Sequence, residues 1–483
     1  MHDFRRVLVS TIALVLVATS SVVTAQGTLN VTLAADARGA ALFEELLQDS
    51  DHLVARYAEV RRAMSDGLRA LGAELSDKLP TTGICVHLVG TSGATPRLDG
   101  GGDVLAAMGD RFDPQRANAH PSQERILEYH DGTHLYVIDE FSIEALAVLL
   151  RGLIGRADVA QHFGLSPDVD PLWQATYGYR IALVGDPEQP ESTSVPHGHL
   201  VAYHLLSQLP QNSMIQNVRM SPNERRVEVD VQHGESSLMK IHFVAMEFAR
   251  LSTIPIALNE LPDDGSAAVV LSWGLVDCLL AAGYAALPAE SGFETIMEYF
   301  AAAVRAMPDF EGYLRDVCRA FDEARYGHLL GFTQGQSCNN APAEHLVGLA
   351  TVIAVAGFSE LARAQVEWEL APEQHRYFAA AGNQGLGFPM PPAAWPEVVG
   401  VEACAAEVDE NGNPSASPYS TKASFSNVGP FAGTDAARAL GAWFQTPEVR
   451  SDGEPLGYWG TSFAAPTAAL RYLATESQTE TCQ

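Results

Sequence analysis

Positive charge is scarce in this chain: 30 Lys and Arg stand against 59 Asp and Glu, for a net charge of −29. A surface so acidic repels phosphate backbones and anionic headgroups, which argues against nucleic acid or an anionic membrane as partner. Long apolar runs are also scarce. The run from Val7 to Ala18 is short for a membrane span; it follows Arg5 and Arg6 and leads to small residues ending at Val23-Thr24-Ala25. That order reads as a secretory signal peptide over residues 1–25, so the mature chain is expected to be secreted, extracytoplasmic and without a membrane span after cleavage. Repeats and low-complexity tracts are missing, which excludes a solenoid. The six cysteines, Cys85, Cys278, Cys318, Cys338, Cys404 and Cys482, lack metal-ligand spacing, and nothing in their order selects a disulfide pairing. No Gly-x-Ser-x-Gly string occurs, so an α/β-hydrolase esterase is disfavoured.

What is present is ample apolar material. With 47% hydrophobic residues over 483 positions, the chain can bury more than one core. Apolar residues such as Leu42, Leu46, Leu53 and Tyr57 recur at helical intervals over 35–79. Residues 84–89 and 134–138 read as strands, and 142–154 as a helix. The glycine cluster Asp99-Gly100-Gly101-Gly102 has no following lysine and reads as a turn. Residues 26–170 are thus expected to form a mixed α/β pro-segment or accessory region. From 171 to 483 strands and helices alternate, the sign of a parallel sheet with helices on its faces. Strands are expected over 180–184, 226–232, 267–271 and 376–380, and helices over 197–209, 236–251, 293–307, 311–324 and 345–355.

Three local patterns carry chemistry. Gly460-Thr461-Ser462-Phe463-Ala464-Ala465-Pro466 feeds a serine from a glycine turn into a slim helix, with Pro466 expected in its first turn. A serine placed there stands where backbone N–H groups and the helix dipole can stabilise an oxyanion. A hydroxyl needs a base near neutral pKa, and Pro196-His197-Gly198-His199-Leu200-Val201-Ala202 offers His197 at a helix start. Ala379-Ala380-Ala381-Gly382-Asn383-Gln384-Gly385 offers Asn383, whose amide can donate to an oxyanion without adding a titrating charge.

Together these strings resemble the nucleophile, histidine and oxyanion motifs of the subtilisin-like serine peptidases, over about residues 177–473, with His199 where the family usually has a small residue. The resemblance implies a subtilisin-like doubly wound, mostly parallel sheet with helices on both faces. It also implies a serine endopeptidase acting on protein or peptide substrates: Ser462 as nucleophile, His197 as base, Asn383 in the oxyanion hole, and Ser272, Trp273 and Gly274 binding substrate. The segments Pro392 to Val401 and Ala423 to Gly429 resemble the family's framework between oxyanion loop and nucleophile, and their expected role is structural. The stretch between Gly274 and Gly382 is long for the family and is expected to hold a helical insertion at about 275–375 containing Cys318 and Cys338.

The family requires an aspartate to orient the histidine. Asp186 is the expected residue: the strand 181–184, extended through Gly185, would put it at the carboxyl edge of the sheet. The rival is Asp139 in Tyr136-Val137-Ile138-Asp139, which looks more like the family's string but precedes the alternating region. No cofactor is implied, and no loop is dense enough in carboxylates to nominate calcium ligands. Two other readings remain open: a catalytically impaired binding or scaffolding protein on the same fold, motivated by the irregular Gly185-Asp186, and metal-dependent hydrolysis through His197, His199 and His204. The metal reading is weak because His199 and His204, five apart, miss one another on a helix. Cleavage specificity and oligomeric state are not expressed in the sequence.

Overall fold

The structure is a computed structural model that describes residues 37–47, 53–54, 57–58, 61–62, 84–88, 125–157, 159, 197–234, 237–246, 267–277, 310–320, 332, 336–341, 343–366, 375–382, 386–405, 421–422, 426–428, 437–439, 444–449, 455–458 and 460–478. Outside these residues lie the expected signal segment, the turn expected at Asp99, the strand expected over 180–184 with Asp186, the helix expected over 293–307, and Asn383.

A nine-stranded sheet organises the described chain. Its centre is β3 (Thr133–Asp139), whose run Leu135-Tyr136-Val137-Ile138 is fully buried, as a strand covered on both faces requires. The side chains alternate. Leu135 and Val137 point into a core shared with helices α2 (Ile143–Arg151), α3 (His197–Ser207) and α6 (Thr461–Leu473). Tyr136 and Ile138 point into the opposite core, with Phe358 and Ala362 of α5 (Ala343–Val366) and with Trp273 and Trp395. Helices therefore cover both faces.

From β3 the chain first crosses to one side, where β4 (Met214–Ser221), β5 (Arg226–His233) and β6 (Ser237–Ala245) form an antiparallel meander, with β6 parallel to β3. It then returns to β3's other side and builds outward in parallel through β7 (Ala267–Leu271), β9 (His375–Ala380), β10 (Val398–Ala405) and β12 (Ala437–Ala439); the short β11 (Thr421–Lys422) pairs antiparallel with β10. The sheet is mixed and mostly parallel. Because the connections leave β3 in opposite directions, a crevice is expected beyond its carboxyl end, where open α/β sheets bind ligands.

Smaller pairs flank this sheet. β1 (Ile84–Leu88) runs antiparallel to β8 (Trp273–Asp277), and β2 (Arg125–Tyr129) to β15 (Ala474–Gln478) after α6. β13 (Phe444–Val449) pairs with β14 (Pro455–Tyr458). Helices α4 (Phe310–Ala320) and α5 fall in the expected insertion, where a Cys318–Cys338 disulfide closes a separation of 20 residues.

Three expectations change. The boundary at residue 170 does not divide the fold, because β3, from the region expected to stand apart, is the central strand. Helix α1 (Ala37–Leu47) also joins the remaining chain, with Phe43 stacked on Phe388 at 4.5 Å between ring centroids. Second, the expected helix over 236–251 is strand β6 from 237 to 245. Met239, Ile241 and Phe243 enter one core, while Lys240 and His242 share the other face with Val244 and Met246; the alternation over 239–243 runs into the consecutive apolar residues 243–246, whose spacing also fits a helix. Third, α6 starts at Thr461, so Pro466 is the helix's sixth residue, beyond the first turn.

Candidate active site

The carboxyl edge of β3, β7 and β9 brings the chemistry together. Asp139 is the last residue of β3 and, by parity with Leu135 and Val137, faces α3 and α6. Its carboxylate lies against the imidazole of His197, the first residue of α3, with Nδ1 at 2.9 Å from Oδ1 and 3.0 Å from Oδ2. Both side chains are fully buried. The carboxylate therefore fixes the imidazole as the Nδ1–H tautomer, which leaves Nε2 to take up a proton. Asp139 occupies the orienting position expected of Asp186.

Several bonds hold Asp139 in place. Its Oδ1 also accepts from Glu140 N–H at 2.7 Å, and its carbonyl accepts from Met246 N–H at 2.9 Å. The preceding carbonyl, of Ile138, accepts from the Trp273 indole N–H at 2.8 Å. Gly198 N–H donates to the Glu140 carbonyl at 3.0 Å. This approach leaves no room for a side chain: a Cβ on Gly198 would stand 2.4 Å from that oxygen and 2.9 Å from Asp139 Cβ. The start of α3 is thus seated directly on the strand end that carries the carboxylate.

Ser462 is the second residue of α6 and is buried. Gly460 caps this helix at φ 148° and ψ 164°, a conformation open essentially to glycine alone, and so turns the chain sharply into Thr461. Thr461 Oγ1 accepts from Gly382 N–H at 3.1 Å, tying the helix start to the turn after β9. Helices α3 and α6 lie side by side: His204 packs edge-on against Phe463, and its Nε2 is 3.2 Å from Thr467 Oγ1. His204 is ~10 Å along α3 from His197, and Thr467 is ~8 Å along α6 from Ser462. Both helices begin at the same sheet edge and run away from it, so His197 and Ser462 occupy neighbouring helix N-termini.

The turn leading to Asn383 is bracketed on both sides by Asn427. Its Nδ2 donates to Ala381 O at 3.0 Å, its N–H donates to Gly382 O at 2.9 Å, and its Oδ1 accepts from Leu386 N–H at 2.9 Å. Asn427 is fully buried, and the expected framework role of its segment takes this concrete form. Ser272 directly follows β7, between the other two strand ends, and its buried Oγ has no hydrogen-bond partner among the described residues. Trp273 packs in the α5-side core, and Gly274 approaches Met390 and Pro391.

The three histidines of α3 diverge in role. His197 meets Asp139. His204 meets Thr467 and Gln208, and burial pushes it down to about 3, partly opposed by the Phe463 backbone. His199 meets the Ser142 backbone, and burial pushes it down to about 4, partly opposed by the nearby Ser142 carbonyl. Among the described residues no group of three or more His, Cys, Asp or Glu could hold a metal ion, and no helix is long and apolar enough to cross a membrane.

No protein-family model matches the chain, and no curated protein or solved structure matches it. The architecture by itself defines a general α/β fold with a mixed, mostly parallel sheet and a buried carboxylate–imidazole pair at the sheet's switch point.

Proposed function

We propose that this chain is a subtilisin-like serine endopeptidase in which Asp139, His197 and Ser462 form the catalytic triad. The observation that carries this reading is the buried Asp139–His197 pair at the start of the helix beside that of Ser462. Ser462 Oγ attacks the peptide carbonyl and passes its proton to His197 Nε2, while Asp139 stabilises the imidazolium through Nδ1–H. The oxyanion is held by the Ser462 N–H and the Asn383 amide; one such donor contributes about 3–4 kcal/mol. His197 then returns the proton to the leaving amine, and the acyl-enzyme is hydrolysed by water activated at the same nitrogen. Secretion, and protein or peptide substrates, belong to this reading.

Two features support it over the alternatives. The irregular Gly185-Asp186 no longer argues for an impaired scaffold, because the carboxylate comes from Asp139. The separate partners of His197, His199 and His204 do not converge on a common ion.

The experiment is labelling with a fluorophosphonate. The mature wild-type protein should label at Ser462 and hydrolyse a protein substrate, and Ser462→Ala should do neither. Failure of the wild type to label, under conditions where a known subtilisin labels, would sink the enzyme reading.

A further inference from the structure

His199 lies two residues after the base, in the position where the family resemblance leads one to expect a small residue. Its side chain is buried between Phe141 and Tyr203, with ring centroids 6.1 Å and 6.2 Å away. Its Nε2 lies 3.1 Å from Ser142 N and 3.3 Å from Ser142 O. The carbonyl already accepts from Leu146 N–H at 2.9 Å, in the first turn of α2. The Ser142 side chain makes no capping bond to α2. Ser142 N–H therefore donates to an unprotonated Nε2, and His199 is the neutral Nδ1–H tautomer.

This bond spans the loop that leaves the catalytic strand. Asp139 ends β3, Glu140 and Phe141 follow, and Ser142 is the N-cap of α2. The loop is pinned to α3 at Asp139 by His197, at Glu140 by Gly198 N–H and at Ser142 by His199. Three successive residues of α3 thus grip three of the four residues from Asp139 to Ser142. The outer grip comes from a side chain, so it can be removed without changing the backbone of either element.

We propose that His199 is a positioning residue for the Asp139–His197 pair: by accepting from Ser142 N–H it latches the strand-end loop to α3 and holds the carboxylate square to the imidazole. It does not touch the reacting atoms. The inference rests on the peptidase reading for its kinetic arm, and has a second arm that does not. Without the latch the loop has one fewer anchor, and the carboxylate loses alignment with Nδ1; a misplacement of about 1 Å in such a site costs up to about 100-fold in rate.

The test compares His199→Ala, His199→Asn and His199→Gln in the full mature protein. Glutamine reaches about as far as Nε2 and can accept from Ser142 N–H; asparagine is polar but too short. In peptide hydrolysis, Ala and Asn variants should lose about 10- to 100-fold in kcat with KM within about twofold, and Gln should recover most of kcat. In proton NMR, the strongly downfield His197 Nδ1–H resonance should move upfield or broaden away in Ala and Asn and persist in Gln. The Asn variant stands in if Ala does not fold. Wild-type kcat together with an unmoved resonance in Asn would overturn the proposal, as would Gln behaving like Asn in both readouts. A wild type that is inactive but shows the resonance shifts fails the peptidase reading alone and leaves the latch supported.

Discussion

At the scale of single residues, the site is a set of constraints on one carboxylate. Asp139 has partners at its side chain and carbonyl, and its neighbours Ile138, Glu140 and Ser142 have theirs. Asp139→Asn should lower kcat by about four orders of magnitude, because an amide presents the wrong group to Nδ1–H. Asp186→Asn should leave kcat unchanged. The pair of variants, assayed side by side on one peptide, decides which aspartate acts. Gly198→Ala should inactivate the protein almost as thoroughly by another route: a methyl 2.4 Å from the Glu140 carbonyl forces α3 off the strand end. Loss of the His197 Nδ1–H resonance in that variant is the check. The placement of His197 and Ser462 at helix starts was legible because each is a short local pattern. The choice between Asp186 and Asp139 was not legible, because both follow apolar strand-like runs.

At the scale of elements, three parallel strands and two helices converge on one edge. Asp139 ends β3, Ser272 and Gly382 lie just beyond the ends of β7 and β9, and the helix starts supply His197 and Ser462. Asn427 joins this arrangement from a later segment, with polar bonds on both sides of 383–385. Asn427→Ala strips partners from a buried carbonyl and a buried N–H, and is expected to cost about 2–4 kcal/mol of stability. If Asn383 is the oxyanion donor, kcat should fall more than KM rises; a denaturation curve and steady-state kinetics on the same preparation measure both. The misread helix over 236–251 belongs here too. Its apolar residues fit either period, and only the register with β5 on one side and β3 on the other makes it a strand.

At the scale of the whole molecule, buried neutral histidines tie stability to pH. His199 is pushed down to about 4 and His204 and His242 to about 3, each chiefly by burial; for His242 the charges of His134, Arg226, Lys240 and Arg219 add to it. Their unfolded-state values lie near 6.5, so the unfolded chain takes up these protons first as pH falls. The contribution of these groups is therefore complete above about pH 6.5 and is lost as pH falls toward 4 and then 3. Between about pH 6 and 4 each histidine costs on the order of 1 kcal/mol per pH unit. Urea midpoints at pH 7.5 and pH 5 should differ clearly, and His242→Gln should flatten the difference; equal midpoints in the wild type would contradict this account. On its own, the sequence determined what local chemistry can: an acidic chain, a serine and a histidine each set at a helix start, and alternating elements that imply a parallel sheet. Tertiary structure decided which strand stands at the centre, and with it the orienting aspartate and the union of the N-terminal region with the remaining fold. The physical reason is that strand order is set by pairings between distant residues, here β3 with β6 and β7, and by burial on both faces, neither of which is written in the residues flanking Asp139.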